Sequence, residues 1–274
     1  MLELKNISKK YGKVTALKSV NITLGSGIYA LLGPNGSGKS TMMNIISGIL
    51  PPTDGEILYN GQGIRSLGTA YRERIGYMPQ YPGMYPSFTV RDFLLYMSEL
   101  KGLPRGNEGE VDYILRRVEL DDCADRKISA LSGGMKQRLS LAQAVLGSPE
   151  IIILDEPTAG LDPAGRESIL KNIRDYQAAQ QAAVVMVSHS MEEIASNVDR
   201  LIVMEKGTAV MTGAPSEVFS HAAELVSMGL NVPCMTQVLL RLQQLGVNVP
   251  ASAYTVEQAA DLLEPLLKGG AQIC

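Results

Sequence analysis

Residues 33–40 combine glycine, lysine and serine at a spacing that could hold a chain of phosphates. The segment fits GxxxxGK followed by Ser or Thr, and its residues are Gly33, Pro34, Asn35, Gly36, Ser37, Gly38, Lys39 and Ser40. Glycines allow the backbone to curl until N–H groups face phosphate oxygens, and a helix from Thr41 would present its positive end to them. A chance match in such a chain is about a 1% event. We therefore predict nucleotide binding at residues 33–41, with Lys39 at the β- and γ-phosphates and Ser40 on Mg²⁺.

Two carboxylates, Asp155 and Glu156, follow an apolar run at residues 151–154. Open α/β sheets bind ligands at the carboxyl ends of their strands. We expect Asp155 to hold Mg²⁺ through its water shell, and Glu156 to polarise a water for attack on the γ-phosphate. Taken alone, the pair could equally be a solvated strand end, but the phosphate loop favours the catalytic interpretation.

Short apolar runs that predict strands recur between longer helical stretches. The predicted strands are residues 28–32, 75–78, 151–154, 184–187 and 201–204. The spacing between them leaves room for crossover helices and favours an α/β fold with a largely parallel sheet. Residues 90–145 have helical periodicity and predict a helical insert. After Met211 the strands end, and two amphipathic helices follow at 233–245 and 255–267, the second with a capping-box pattern at Thr255 and Gln258.

Composition restricts the function classes. The 274 residues carry 25 Lys+Arg and 28 Asp+Glu, a net charge of −3 that offers no electrostatic attraction to nucleic acid. The apolar runs are shorter than the roughly 18 residues that a membrane span needs, and the first residues lack the apolar region of a secretory signal. Three widely spaced cysteines exclude a disulfide framework or a Cys-rich zinc site. We expect a soluble intracellular protein.

The segment Leu131-Ser132-Gly133-Gly134-Met135 resembles the LSGGQ signature of ATP-binding-cassette (ABC) ATPases, with Met135 where Gln is commonest. The resemblance covers about residues 1–215. It implies a P-loop NTPase fold of the ABC type, with a mainly parallel sheet and an N-terminal antiparallel β part. On this basis residues 1–220 form the nucleotide-binding domain, with a helical subdomain inserted at about 88–147. Residues 221–274 form a helical extension.

The resemblance also implies roles for individual residues. Tyr11 would stack on adenine, and Gln80 would approach Mg²⁺ and the attacking water. His189 would contact the γ-phosphate, and Asp162 would lie in the D-loop that crosses between subunits. An isolated Tyr, Gln or His would carry none of these roles, because each gains its meaning from its place in the family's order.

The resemblance further implies a mechanism. Ser132, Gly133 and Gly134 would close on the γ-phosphate held by a second ABC ATPase subunit, in a homodimer or a heterodimer. Two ATP molecules with Mg²⁺ would lie in the interface, and hydrolysis would open the dimer. The other expected partners are integral membrane transporter subunits that insert a coupling helix into the cleft at Gln80. The location would be the cytoplasmic face of a bacterial cell membrane.

Two transporter subtypes are indicated. Residues 81–93 and 132–138 resemble ATPases of drug- and peptide-type exporters, whereas residues 161–167, 188–193, 213–219 and 231–236 resemble those of energy-coupling-factor (ECF) importers. In the latter the tail assists dimerisation. An apolar stripe of Val238, Leu239, Leu242 and Leu245 predicts such a role, and a helical cap over the sheet is the alternative.

Import or export, and the substrate, stay open at this point. A soluble ABC ATPase acting on ribosomes or DNA is the alternative function. A nucleotide-dependent switch with negligible turnover is a third.

Overall fold

Two β-sheets organise the chain, for which a computed structural model describes residues 1–104, 106–251 and 253–268. The strands are β1 Leu2–Tyr11, β2 Val14–Leu24, β3 Gly27–Leu32, β4 Asp54–Tyr59, β5 Gln62–Gly63, β6 Ile75–Met78, β7 Ile151–Asp155, β8 Ala183–Val187, β9 Arg200–Glu205 and β10 Thr208–Gly213. The larger sheet has the order β10-β9-β3-β8-β7-β6 and is parallel except for β10. The smaller sheet, β2-β1-β4-β5, is antiparallel. All five predicted strands are present within one residue.

Helices connect and flank these strands. They are α1 Lys39–Ile46, α2 Ile64–Leu67, α3 Thr69–Arg72, α4 Val90–Leu100, α5 Glu108–Arg117, α6 Gly133–Val145, α7 Pro163–Gln180, α8 Met191–Asn197, α9 Pro215–Phe219, α10 Ala222–Ser227, α11 Cys234–Gln244 and α12 Val256–Lys268. None of the helices in these described ranges is long and apolar enough to cross a membrane.

The larger sheet is buried on both faces, which explains why its strands are apolar at consecutive positions. In β7, Ile152 and Leu154 pack into one core cluster, whereas Ile151 and Ile153 pack into another on the opposite face. This alternation follows from the two-residue period of a strand. The polar ends of the strands are therefore the places where the sheet can meet a ligand.

The helical region between β6 and β7 has a core of its own. Val90, Phe93, Leu94, Ile114 and Leu115 are buried in it, as the apolar spacing predicts. Thr89 caps the N-terminus of α4 by accepting a hydrogen bond from the backbone N–H of Asp92 at 3.0 Å. The insert thus packs as a distinct unit beside the parallel sheet.

The C-terminal segment divides into two packing environments. Phe219, Ala222, Leu225 and Val232 belong to the main core, so α9 and α10 pack on the sheet. Helices α11 and α12 share a small cluster around Leu239, Val249, Ala253 and Ala259. The predicted boundary between residues 220 and 221 stays a prediction, and residues 269–274, including Cys274, lie outside the described ranges.

The apolar stripe on α11 is buried in part and exposed in part. Leu239 is fully buried and Leu242 packs on the same cluster, so the prediction that these two need a partner surface is wrong. Val238 and Leu245 are 41% and 64% exposed. The capping box of α12 is confirmed: Gln258 N donates to Thr255 Oγ1 at 3.2 Å, and Thr255 N donates to Gln258 Oε1 at 3.4 Å.

Lys101 ties the end of α4 to the end of α6. Its Nζ donates to the carbonyl oxygens of Leu146 at 2.7 Å and Gln143 at 3.4 Å. Burial lowers the pKa of Lys101 from 10.5 to about 8, and the charge of Glu110 opposes this shift. The lysine charge therefore costs folding free energy below pH 8, and this cost disappears as the pH rises towards 10.5.

We predict that Lys101→Met flattens the pH dependence of stability in this range. Between pH 8 and 10.5 the unfolded chain binds more protons than the native chain at this position, so the wild type should gain about 3 kcal/mol relative to the variant. Urea unfolding at several pH values measures the difference. The exposed Lys171→Met is the control, and equal slopes for wild type and Lys101→Met would contradict the prediction.

Candidate active site

The phosphate loop connects β3 to α1 and is closely packed on neighbouring backbone. Gly33 has φ +153°, and a Cβ there would lie 2.4 Å from the carbonyl oxygen of Met204 and from Ser37 Oγ. Gly38 has φ +107°, and a Cβ there would lie 2.8 Å from the carbonyl oxygen of Ala16. These two glycines are required by both conformation and space. The backbone of the loop is thus packed closely on residues 16 and 204, with no room for a side chain at either glycine.

Lys39 lies across this loop. Its Nζ donates hydrogen bonds to the carbonyl oxygens of Gly33 and, at 3.2 Å, Pro34. Partial burial lowers the pKa of Lys39, while the carboxylates of Glu156 and Asp155 act in the opposite direction. The ammonium group is therefore placed beside two carboxylates at the edge of the sheet.

An open cleft of about 440 Å³ brings the predicted residues of one half-site together. It is lined by the loop and by side chains at the ends of β6, β7 and β8, namely Asn35, Gly36, Ser37, Gly38, Lys39, Ser40, Thr41, Gln80, Asp155, Glu156 and His189, together with Val14, Thr15, Ala16 and Val187. Residues far apart in the sequence meet here because parallel strands end at the same edge of the sheet. Gly33 and Pro34 shape the loop without lining the cleft.

Glu156 combines an unusual backbone conformation with a buried side chain. It has φ +53°, and its backbone N–H donates to the carbonyl oxygen of Val187 at 3.0 Å. Its buried Oε1 has no hydrogen-bond donor among the described residues, although His189 Nε2 lies 3.4 Å away. Burial raises the pKa of Glu156, and the His189 charge lowers it in part. The Glu156 side chain is 12% exposed and lines the cleft, so its carboxylate can accept a proton from a water there.

Tyr11 lies outside the residues that line the cleft. It ends β1, is 49% exposed, and has the Lys9 ammonium 5.5 Å from its ring centroid. The ring is accessible to a planar ligand, and its stacking on adenine stays a prediction.

A second cleft, also of about 440 Å³, includes one of the signature residues. Gly133 and Gln80 both line it, together with Gly160. Ser132 caps α6, with its Oγ accepting from the backbone N–H of Met135 at 3.2 Å. None of Ser132, Gly133 and Gly134 lines the cleft at the phosphate loop of the same chain, although Gln80 lines both clefts.

Asp162 caps α7 at the far end of the segment that follows Glu156. Its carboxylate accepts from the backbone N–H of Gly165 at 2.8 Å. The exposed position of Asp162 at a helix start is compatible with the predicted D-loop, whose crossing between subunits stays a prediction.

Two further residues, to which the sequence assigned no role, contact Glu156 or the segment that follows it. Gln137 is buried and its Nε2 donates to the backbone carbonyl oxygen of Glu156 at 3.0 Å. Glu193 accepts from Thr158 Oγ1 at 2.7 Å. Both residues lie in segments that resemble transporter ATPases, Gln137 in residues 132–138 and Glu193 in residues 188–193. This position is the only indication of their role in the sequence.

A sequence model of a family described as ABC transporter matches residues 17–159. The chain belongs to the ABC transporter family. The energy-coupling factor transporter ATP-binding protein EcfA2 of Clostridium tetani is 33% identical over 290 aligned residues, spanning 100% of this chain and 99% of the relative. The linearmycin resistance ATP-binding protein LnrL of Bacillus subtilis is 34% identical over 242 residues, spanning 88% and 78%.

Solved ABC structures share the fold. CbiO1 of Clostridium perfringens, described as part of the ABC transporter complex cbiONQ, is 30% identical with a TM-score of 0.74, covering 89% of this chain and 96% of that one. A dimeric ATP-binding cassette in a post-hydrolysis state with ADP and phosphate is 29% identical with a TM-score of 0.70, covering 78% and 99%. The predicted fold class and family are confirmed.

The donor set of this ABC protein fits a Mg²⁺–nucleotide complex. Ser40, Gln80 and Asp155 offer a hydroxyl, an amide and a carboxylate oxygen to the same cleft. Mg²⁺ prefers oxygen ligands and usually binds through one or two carboxylates together with substrate phosphates and water. In the described part of the chain no cluster of three His, Cys, Asp or Glu residues could hold a metal by itself.

We predict that Gly38→Ala weakens ATP binding at least about tenfold, because the added methyl forces the loop away from Ala16 and Leu17 at a positive φ. Gly61→Ala is the matched control, since Gly61 also has positive φ (+80°) but no atom within 4 Å of its Cβ position. Titration with a fluorescent ATP analogue measures both. Equal affinity in the two variants would contradict the steric explanation.

Proposed function

We propose that this ABC protein is the ATP-binding and ATP-hydrolysing subunit of a membrane transporter, which powers transport by closing and opening an ATPase dimer. The observation that supports it best is the cleft in which Lys39, Ser40, Asp155, Glu156 and His189 converge at one sheet edge. The ECF relative and CbiO1 are described as parts of transporters, and none of the relatives named above supports the alternative of a soluble ribosome- or DNA-associated ATPase.

Each side chain has a defined task in hydrolysis. Backbone N–H groups of the loop and Lys39 neutralise the phosphate charge, and the carboxylate of Glu156 accepts a proton from the attacking water. His189, 3.4 Å from Glu156 Oε1, orients that carboxylate and contacts the γ-phosphate. Mg²⁺ bound with ATP would supply further charge neutralisation, held by Ser40, Gln80 and Asp155.

The second half of the site comes from another ABC ATPase subunit. Ser132, Gly133 and Gly134 lie at the N-terminus of α6, and none of them lines the cleft at their own phosphate loop. A helix N-terminus is a favourable partner for an anion. Head-to-tail pairing of two subunits would bring this N-terminus to the partner's γ-phosphate, and loss of that phosphate would remove the bridging charge.

We favour an ECF-type importer as the subtype. The ECF relative aligns along the whole chain, including the half in which residues 81–93 resemble exporters, whereas the resistance protein spans 88% of the chain. The membrane partners would then be a small substrate-binding subunit and a scaffold subunit, with a coupling helix in the cleft at Gln80, on the cytoplasmic face of a bacterial membrane. Native co-purification tests this: a lone six-helix permease would instead indicate export.

We predict that Glu156→Gln abolishes turnover but retains ATP binding. Loss of the proton acceptor should lower kcat by on the order of 100-fold or more and trap an ATP-bound dimer. Phosphate release and size-exclusion chromatography with ATP measure the two effects. Glu167→Gln, an exposed neighbour of the D-loop on α7, is the control. Hydrolysis by Glu156→Gln at the wild-type rate would refute the assigned role.

We also predict that the exposed part of the α11 stripe contributes to dimerisation. Val238→Glu with Leu245→Glu places charges on an apolar surface without touching the buried Leu239. The dimer should weaken while nucleotide affinity is unchanged, as measured by analytical ultracentrifugation with and without ATP. Truncation after Ser220 is a poorer test because it removes Ala222 and Leu225 from the main core. A dimer of unchanged affinity would contradict this prediction and would favour the alternative, in which the tail is a helical cap over the sheet.

A further inference from the structure

Glu193, in the first turn of α8, joins three segments through a single buried carboxylate. Its side chain is only 10% exposed. Oε2 accepts hydrogen bonds from Thr158 Oγ1 at 2.7 Å and Ser188 Oγ at 3.4 Å. Oε1 lies 3.5 Å from Arg166 Nη1. A carboxylate removed from water is stable only when its lone pairs are satisfied in this way.

Two of these contacts fix the D-loop, which runs from the residue after Thr158 to Asp162. Arg166 Nε donates to the carbonyl oxygen of Leu161 at 2.9 Å, and Leu161 N donates to the carbonyl oxygen of Thr158 at 3.3 Å. Glu193 holds Thr158 at one end of this loop and Arg166 at the other. The loop that precedes Asp162 is therefore braced against α8.

The third contact fixes the segment that carries His189. Ser188 immediately precedes His189, and its Oγ also accepts from the backbone N–H of Ser190 at 3.1 Å. Ser190 in turn caps α8 by accepting from the backbone N–H of Glu193 at 3.3 Å. The position of His189 thus depends on the same residue that braces the D-loop.

We propose that Glu193 is a positioning residue that couples the placement of His189 to that of the D-loop, so that docking of a partner subunit on the D-loop sets the position of His189. The proposal rests on the proposed function, because it assigns a role within the same hydrolytic dimer. Glu193 is not among the residues that line the phosphate cleft. Its loss should therefore disturb the chemical step more than nucleotide binding.

Glu193→Ala and Glu193→Gln test the coupling in the full-length protein. For Glu193→Ala, kcat should fall by on the order of 10- to 100-fold, because misplacement of a catalytic group costs this much. The KM for ATP should change less than about twofold, since uniform binding is retained. Glu193→Gln keeps an acceptor for Thr158 but loses the charge that faces Arg166, and should lie between Ala and wild type. Glu167→Gln is the control on α7.

A double-mutant cycle separates coupling from general destabilisation. Arg166→Gln combined with Glu193→Gln should lower kcat no further than the stronger single variant, because both changes break the same brace. Full additivity of the two effects, or a kcat for Glu193→Gln equal to that of Glu167→Gln, would overturn the inference. A parallel loss of kcat, ATP affinity and melting temperature would also overturn it. Absence of hydrolysis in the wild type would instead refute the proposed function.

Discussion

Burial of the larger sheet on both faces is the constraint on which the site depends. Its parallel strands are apolar along their length, so polar side chains can occur only where a strand ends. Since parallel strands share a direction, those ends meet at one edge. Leu154 is fully buried, and the next residue along β7, Asp155, is the first to reach the cleft. The polar side chains of the cleft are concentrated at this edge because the buried faces of the sheet hold apolar side chains.

The same edge sets the electrostatics of the cleft. Burial disfavours the charged forms of Lys39, Asp155 and Glu156. The two carboxylates oppose this effect at Lys39, whereas Lys39 and His189 oppose it at Asp155 and His189 opposes it at Glu156. A triphosphate with Mg²⁺ brings both signs of charge and would pair with groups that are already desolvated. Such groups need little reorganisation when charge develops in the transition state, and this is the usual source of electrostatic catalysis.

Local patterns in the sequence predict much of this architecture, because strand burial and loop conformation are local. The five strands follow from apolar runs, and the phosphate loop follows from glycines that the packing requires. Contacts between distant residues are different. The Gln137 side chain reaches the backbone of Glu156, and backbone acceptors leave no trace in residue type. The prediction that Leu239 needs a partner surface was wrong for a related reason. Periodicity shows that Leu239 is buried, but not that α12 and the loop before it cover this side chain.

The Gln137 contact links the two halves of the proposed site within one subunit. Gln137 lies one turn into α6, whose N-terminus carries Ser132, and its Nε2 holds the backbone carbonyl oxygen of Glu156. In the proposed dimer, a shift of this N-terminus on meeting the partner's nucleotide would reach Glu156 through its backbone carbonyl oxygen. On the other side of Glu156, Thr158 connects to Glu193. The backbone that carries Glu156 is therefore held from two sides, by α6 through Gln137 and by α8 through Thr158.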